Sequence, residues 1–556
     1  MITAFILLGR YIEDKAKNKG KQSIKNILNL QAKQTILITD DGKEKTIPAN
    51  KIRKNDILLI KNGETIPADA IIIEGESEID TSNMTGESIP KHVKVGDEII
   101  GGTINTYGVL KIKVLKAGNN TMLAQIIENV LEIQNQKPQI QRLTDKIAFY
   151  FTPIIVFISI LTFTGWAYYE SNINIAISNA IAILVTACPC AMGLATPIAL
   201  AVSTGNFIKN GILIRNLSFL ENTKNISKMI FDKTGTLTYG VLKINKIETI
   251  NQISEKELIK YAFILEQGVK HPISEALTSY LKEKNLLTEI LDEKVNSKLF
   301  EKKIHTGYGI ENKINDNTFY IGKIDWLQNL GCKIPEKLSR MIAQEQYIGS
   351  TVVIVAKDNG KIPNNEIDAL GFISFTDEIK NNSKKTIKFL RKKNIEPILV
   401  TGDNFRNATH IASKVDIDEN NIYANTTPIG KKQIVQQFQT REYIAMIGDG
   451  VNDCVALSQT SLKGISFSFA QGSDIAVYSS DITLLNSDIF LVAKTFKLAE
   501  KTRKIIKENL CWAFIYNIIA IPMSAFGFTN PSLAAIAMSL SSIIVVINSL
   551  RLRKIN

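Results

Sequence analysis

Three short strings, far apart in the chain, place carboxylates where they can do covalent chemistry. Phe231-Asp232-Lys233-Thr234-Gly235-Thr236 sets one carboxylate between the apolar run Met229-Ile230-Phe231 and a turn-forming Thr-Gly-Thr. That is the pattern of a nucleophile at the carboxyl end of a buried strand, where open α/β sheets hold their ligands. Thr401-Gly402-Asp403 and Gly448-Asp449-Gly450-Val451-Asn452-Asp453 follow, each after its own apolar run. A fourth string has different chemistry. Ala187-Cys188-Pro189-Cys190-Ala191 lies inside a long apolar stretch. Proline removes a backbone donor there, so the helix must kink or unwind and free carbonyls at membrane depth. Two sulfurs beside that break suit Cu(I) or Zn(II) better than hard ions, whereas the plain alternative is that small cysteines pack in a helix.

These residues need elements to hold them. Strand Pro397 to Val400 ends at Thr401-Gly402-Asp403 and strand Tyr443 to Ile447 ends at Gly448-Asp449; with Gly371 to Phe375 and the basic helix Ser383 to Lys393 they read as βα alternation resuming at Leu370. Strands that end repeatedly in Asp predict a doubly wound sheet with its carboxylates gathered at one edge. From about Lys33 to Lys116, β-branched runs alternate with Asp-Gly, Asn-Gly and Gly-Gly turns, which predicts a small mostly-β domain. Residues 241–368 are mixed in polarity, with no long apolar run.

The 556 residues suffice for several domains, and the 45% hydrophobic content is unevenly spread. Ile147 to Tyr169, Ile173 to Val202, Leu510 to Phe528 and Leu533 to Leu550 are each long enough to span a bilayer. Lysine and arginine number 66 against 54 aspartates and glutamates, but they form no arginine-rich arm, so the excess reads as solvated faces and membrane-proximal anchors, not a nucleic-acid surface. Basic residues crowd 15–25, 501–507 and 551–554, and the links around Glu170 and Asn530 carry none; the large polar regions and the C-terminus are therefore expected in the cytosol. Five cysteines suggest no disulfide framework.

Taken together, the strings at Asp232, Thr401 and Gly448 with Cys188-Pro189-Cys190 closely resemble those of heavy-metal-transporting P-type ATPases, over nearly the whole chain. The resemblance implies a multidomain α+β membrane protein. Transmembrane helices would carry a mostly-β actuator domain, a doubly wound α/β (haloacid-dehalogenase-like) phosphorylation domain and an inserted α+β nucleotide-binding domain. The expected divisions are residues 1–14 as the end of a truncated membrane helix, 15–145 the actuator with flanking helices, and 146–208 two membrane helices with Cys188-Pro189-Cys190. Residues 209–240 and 369–500 would form the phosphorylation domain, 241–368 the nucleotide domain, and 501–556 the last two membrane helices with the basic tail.

By the same resemblance Asp232 is phosphorylated by ATP, with Lys233, Thr234, Thr401, Asp403, Lys431, Asp449, Asn452 and Asp453 around it, and Asp232, Thr234, Asp449 and Asp453 hold Mg²⁺. Lys431, in a Pro-x-x-Lys step after Pro428, is equally readable as a solvated lysine. Glu87, in Thr85-Gly86-Glu87-Ser88, would position water for hydrolysis of the aspartyl phosphate. Glu266, His271, Gly307 and Gly309 match positions that hold adenine, although His271-Pro272 alone reads as a helix start. Tyr516-Asn517 and Met538-x-x-Ser541-Ser542 match the copper(I)-exporting subgroup, where zinc and cadmium members carry a lysine and an aspartate. With Cys188 and Cys190 these would hold Cu(I) as the transported ion, and Glu13 and Asp145 occupy positions associated with its access. A copper chaperone is the expected donor, the bilayer the setting, and a monomer the expected state.

Three membrane helices that precede this point in the family have no counterpart ahead of Met1, which suggests truncation, a split gene or an internal start. Two departures stand out: Cys454-Val455-Ala456-Leu457 where Ala-Pro-Ala-Leu is usual, and Lys463 to Phe469 in place of a glycine-rich turn. The competing readings are a non-transporting relic or accessory metal- or nucleotide-binding subunit, and a pump for Ag(I) or Zn(II). A soluble phosphatase is excluded by the apolar spans.

Overall fold

The computed structural model describes every residue except 1–10, 12–31, 33, 40, 82–89, 125–126, 129–135, 137, 171, 189, 251–252, 270, 293–301, 306–307, 315–316, 359–366 and 555–556. The chain divides into two compact units. One comprises Met1–Ile226, Arg441–Tyr443 and Thr460–Asn556; the other comprises Ser227–Thr440 and Ile444–Gln459.

In the first unit, the segment between Gln34 and Lys116 is β-rich, as its turn-punctuated sequence predicts. Six strands pair antiparallel into one sheet and three into a second. Along Leu110–Lys116 burial alternates, and Leu110, Ile112 and Val114 join Leu58, Ile60 and Ile72 in one core. That two-residue period is what makes the segment a strand and not a helix. Glu87 and its Thr85-Gly86-Glu87-Ser88 string lie outside the described residues.

Five helices of this unit carry the apolar stretches: α1 (Gln139–Glu170), α2 (Ile173–Thr186), α3 (Cys190–Lys209), α4 (Phe490–Ala525) and α5 (Pro531–Leu550). Among the described residues, α1 and the helix running from Pro531 to Arg553 are long and apolar enough to cross a membrane. The predicted span Ile173 to Val202 is two helices: α2 stops at Thr186 and α3 starts at Cys190, so the break falls at the Cys-Pro-Cys string. The predicted span Leu510 to Phe528 is the distal part of α4, which begins 20 residues earlier at Phe490. Hydroxyls and amides tie these helices together, as expected where apolar packing alone gives little specificity. Ser203 and Thr502 share a 2.6 Å hydrogen bond, and Asn509 Nδ2 donates to Ala195 O (3.2 Å) and Ser549 Oγ (2.8 Å).

Lys463 to Phe469, where the family turn was expected to be replaced, contains a buried strand, Gly464–Phe469, running parallel to Ile482–Leu484. Its serines are affordable in a core because each finds a partner: Ser466 N and Oγ donate to Asp481 Oδ2, and Ser468 Oγ bonds Ser480 Oγ.

In the second unit, strands Tyr443–Ile447, Ile226–Asp232, Glu396–Val400 and Ile422–Tyr423 lie side by side, with Ile226–Asp232 parallel to Glu396–Val400 and the latter parallel to Ile422–Tyr423. Asp232 stands opposite Val400, so the chain leaves both strands at the same edge, into Lys233 and into Thr401. An antiparallel six-stranded sheet forms the rest of this unit, in the order Thr238–Thr249, Ile367–Ile379, Thr351–Asp358, Asn317–Gly322, Gly309–Ile314, Lys303–His305. The strand expected at Gly371 to Phe375 belongs here: it pairs with Thr238–Thr249 and Thr351–Asp358, not with the doubly wound sheet. It is buried along its length, and such a run carries no periodicity to say which sheet it enters.

Candidate functional site

Asp232 ends its strand almost fully buried, at 7% exposure. Lys431 Nζ donates to Asp232 Oδ1 at 2.5 Å and to Asp453 Oδ1 at 2.7 Å, and both partners are equally secluded. The sequence left Lys431 open between a phosphoryl contact and a solvated lysine; at 6% exposure between two acids it is not solvated. It is brought there by the helix Pro428–Gln439, which Thr427 caps through Gly430 N and Pro428 opens at its first turn. Burial pushes the Asp232 carboxyl up to about 6, Asp453 adds to the rise, and Lys431 pulls it back. At neutral pH it is therefore a carboxylate with enhanced basicity, held in one orientation.

The turn after Asp232 depends on Gly235, whose φ of +74° is left-handed and whose Cβ, if present, would meet Asp449 Oδ2 at 2.8 Å. Asp449 is pushed up to about 6 by burial, against the pull of Lys380, and its Oδ1 is buried with no hydrogen-bond partner among the described residues. Lys233 pairs with Asp403 at 2.5 Å, and Thr401 Oγ1 accepts from Asp403 N at 3.1 Å. Thr234 and Asn452 are exposed at this edge. Apart from Glu87, the predicted phosphoryl-site residues thus gather at one sheet edge, Asp232 at its strand end, Lys431 from the helix Pro428–Gln439 and the rest on the turns that follow the strands.

Two members were not singled out in the sequence. Asp377 accepts from Thr238 Oγ1 (2.6 Å) and from Gly240 N (2.9 Å), and Lys380 Nζ donates to Gly235 O at 2.6 Å. Their signal was a polar Thr376-Asp377-Glu378 at the end of an apolar run, the same run-then-acid pattern that marked Asp232. Cys454, one of the two departures, is buried at the start of the helix Cys454–Leu462, its Sγ facing Gly450 O at 3.7 Å.

The adenine-type residues line a cavity of about 760 Å³ in the same unit. Glu266 is 6% exposed, its Oε2 has no partner, and burial pushes it up to about 7 against Lys302. His271 does both things expected of it: it lines the cavity, and its Nδ1 accepts from Ile273 N at 3.3 Å to cap the helix Pro272–Glu283. Gly309 also lines the cavity, but its lack of a side chain is required by packing, since a Cβ would sit 2.4 Å from Trp326 Cζ3. Gly307 lies outside the described residues.

Of the predicted ion ligands, Asn517, Ser541 and Ser542 are buried and Met538 is half-buried. Asn517 Oδ1 and Tyr516 Oη are buried without partners among the described residues. Tyr516 and Ser541 share a cavity of about 520 Å³ with Thr186 and Ser524. Cys188 is half-buried where the chain passes between α2 and α3. The Cys190 side chain and Glu13 lie outside the described residues; Asp145 is exposed on α1.

Comparison with known proteins adds a second line of support. Residues 29–131 match the P-type ATPase actuator domain and residues 229–459 the haloacid dehalogenase-like hydrolases. A protein of Enterococcus hirae named as a probable copper-importing P-type ATPase is 39% identical over all of this chain and 73% of its own length. One of Staphylococcus haemolyticus named as a copper-exporting P-type ATPase is 38% identical over all of this chain and 67% of its own. A crystal structure of a zinc-transporting PIB-type ATPase in the E2·Pi state superposes with a TM-score of 0.65, at 24% identity, over all of this chain and 87% of that one. The fold is therefore shared; by its relatives, this chain belongs to the P-type ATPases and is a membrane protein.

Proposed function

We propose that this chain drives Cu(I) out of the cytosol at the expense of ATP, through an aspartyl phosphate on Asp232. The observation that carries the reading is Lys431 bridging Asp232 and Asp453 at the carboxyl edge of the sheet, in a chain 36–39% identical to relatives named for copper transport. An Asp232 oxygen attacks the γ-phosphorus, the bond to the β,γ-bridging oxygen breaks, and ADP leaves with the electron pair. Lys431 fixes the nucleophile and offsets charge on the transferring group, and Lys233, tied to Asp403, brings a second cation to the edge. Mg²⁺ suits Asp232, Asp449, Asp453 and the Thr234 carbonyl, because Asp449 Oδ1 is buried with nothing else to satisfy it; bound there it supplies charge neutralisation for the phosphoryl oxygens. Glu87 is assigned the activation of water in the second half-reaction, with Thr401, Asp403 and Asn452 framing the loop edge.

Cu(I) is assigned to Cys188 and Cys190 with Tyr516, Asn517, Met538, Ser541 and Ser542, and its access to Glu13 and Asp145. Soft sulfur ligands favour it over hard ions, and no charged residue occurs between Leu510 and Leu550 to suit a divalent one. The domain divisions given above, a multi-pass place in the cell membrane with cytosolic catalytic domains, and delivery by a copper chaperone belong to the same reading. Acid-stable, hydroxylamine-sensitive label from γ-labelled ATP tests the chemistry: Asp232→Asn must abolish it. Reduced Cu(I), and not Zn(II), must change its level. Because the relatives are named for both import and export, direction is read separately, by ATP-dependent copper uptake into inside-out vesicles; uptake supports export.

A further inference from the structure

The cavity that holds Glu266 and His271 has a second wall, formed by Asn404, Arg406 and Asn407. Arg406 lies in the first turn of the helix Phe405–Val415, which Asn404 caps by accepting from Asn407 N at 2.9 Å. Among the described residues its guanidinium has no hydrogen-bond or ion-pair partner. At the other wall, Glu266 is 6% exposed and its Oε2 is likewise unpartnered. The buried Glu266 oxygen stays unsatisfied unless something occupies the cavity, while Arg406, exposed on the lining of the same cavity, keeps its guanidinium free to close on that occupant.

Their charges give the occupant a direction. A carboxyl repels phosphate and accepts from an exocyclic amine, so the base belongs at Glu266. A guanidinium at a helix N-terminus favours a polyanion, and its planar fork fits phosphoryl oxygens two at a time. The Arg406 wall is also the one next to the chemistry. Its helix follows Asp403, which holds Lys233, the neighbour of Asp232.

We propose that Arg406 is a nucleotide-binding residue that grips the α- and β-phosphoryl oxygens of ATP and turns the γ-phosphoryl toward Asp232. This rests on the nucleotide reading of the Glu266 cavity and extends it to the polyphosphate. Arg406 thereby separates nucleoside di- and triphosphates from nucleosides, while Glu266 and His271 serve the base.

The test uses the full chain in detergent with EDTA and Asp232→Asn to prevent turnover, and measures dissociation constants for ATP, ADP and adenosine. Arg406→Ala is expected to weaken ATP and ADP by roughly 10- to 100-fold, as for loss of a charged hydrogen-bonding group, and adenosine by less than about twofold. Arg406→Lys should recover part of the loss, and the salt dependence of ATP binding should flatten in Arg406→Ala. Unchanged ATP affinity in Arg406→Ala, or an equal loss for adenosine, overturns the assignment while leaving the nucleotide site standing. A parent protein that binds none of the three overturns the nucleotide reading itself.

Discussion

Two places in this protein hold polar atoms where water is scarce, and they are built on opposite principles. At the edge of the parallel sheet the groups are charged and mostly compensated: Lys431 lies between Asp232 and Asp453, and Lys233 on Asp403, with one oxygen of Asp449 left over. Among the membrane-type helices the groups are neutral dipoles, and Tyr516 Oη and Asn517 Oδ1 are left over instead. Removing a permanent charge from water is costly, so it must be matched within the fold before any substrate arrives. A neutral orphan costs only about 1–3 kcal/mol, which a visiting ion can restore and then surrender. On the proposed reading, the sheet edge is organised before substrate arrives, and the helix site is completed only by its ion.

The comparison breaks most sharply at Lys431. Lys431→Ala leaves two buried carboxylates facing each other and should cost about 3–5 kcal/mol of stability, seen as a large fall in denaturation midpoint, with loss of phosphoenzyme. An unchanged midpoint would mean that Asp232 and Asp453 are not paired through it. Gly235→Ala comes next. Its φ of +74° and the approach to Asp449 predict about 1–3 kcal/mol of strain, and labelling from ATP should slow roughly 10- to 100-fold in a protein that still folds. Normal labelling would show that the turn tolerates a side chain.

Asn517→Leu should behave in the opposite way. Removing a buried orphan leaves stability equal or higher by up to about 1 kcal/mol, while Cu(I)-dependent phosphorylation, measured in reducing buffer, fails. If the protein instead loses stability, Asn517 is partnered and the contrast between the sites dissolves. The smallest effect concerns Glu266, pushed up to about 7. An amine-bearing base prefers the ionised carboxylate, so adenosine should bind best above pH 7 and weaken by up to about tenfold for each unit below it; Glu266→Gln should flatten that profile. A flat profile in the parent protein would place the base elsewhere.

Much of this was legible because strands that end in Asp carry their chemistry with them. The run before Asp232, the run before Thr401 and the run before Gly448 each fixed a strand end, and the parallel register then put Asp232 level with Val400. The break at Cys188-Pro189-Cys190 followed equally directly from proline. Asp377 and Lys380 escaped because Gly371 to Phe375 was assigned to the wrong sheet: a strand buried on both faces says nothing of its neighbours. Arg406 was invisible for another reason, since an unpaired arginine after a helix cap is read as a solvated surface until a cavity is seen beside it. Lys431 illustrates the middle case, in which the Pro-x-x-Lys step located the helix but only packing decided between solvent and nucleophile.

The strands Thr238–Thr249 and Ile367–Ile379 are the outgoing and returning limbs of the chain between Asp232 and Lys380, and they are hydrogen-bonded neighbours whose register shifts between Ile244 and Lys246. Mechanically, a pair of limbs of this kind is a leaf spring: compliant to bending out of its plane, stiff to shear within it. Asp377, clamped by Thr238 and Gly240, is the rivet at its root. On the nucleotide reading proposed above, the cavity at Glu266 is joined to Asp232 by two hydrogen-bonded limbs and not by a single strand of chain, so that twisting one against the other must shear a β-ladder.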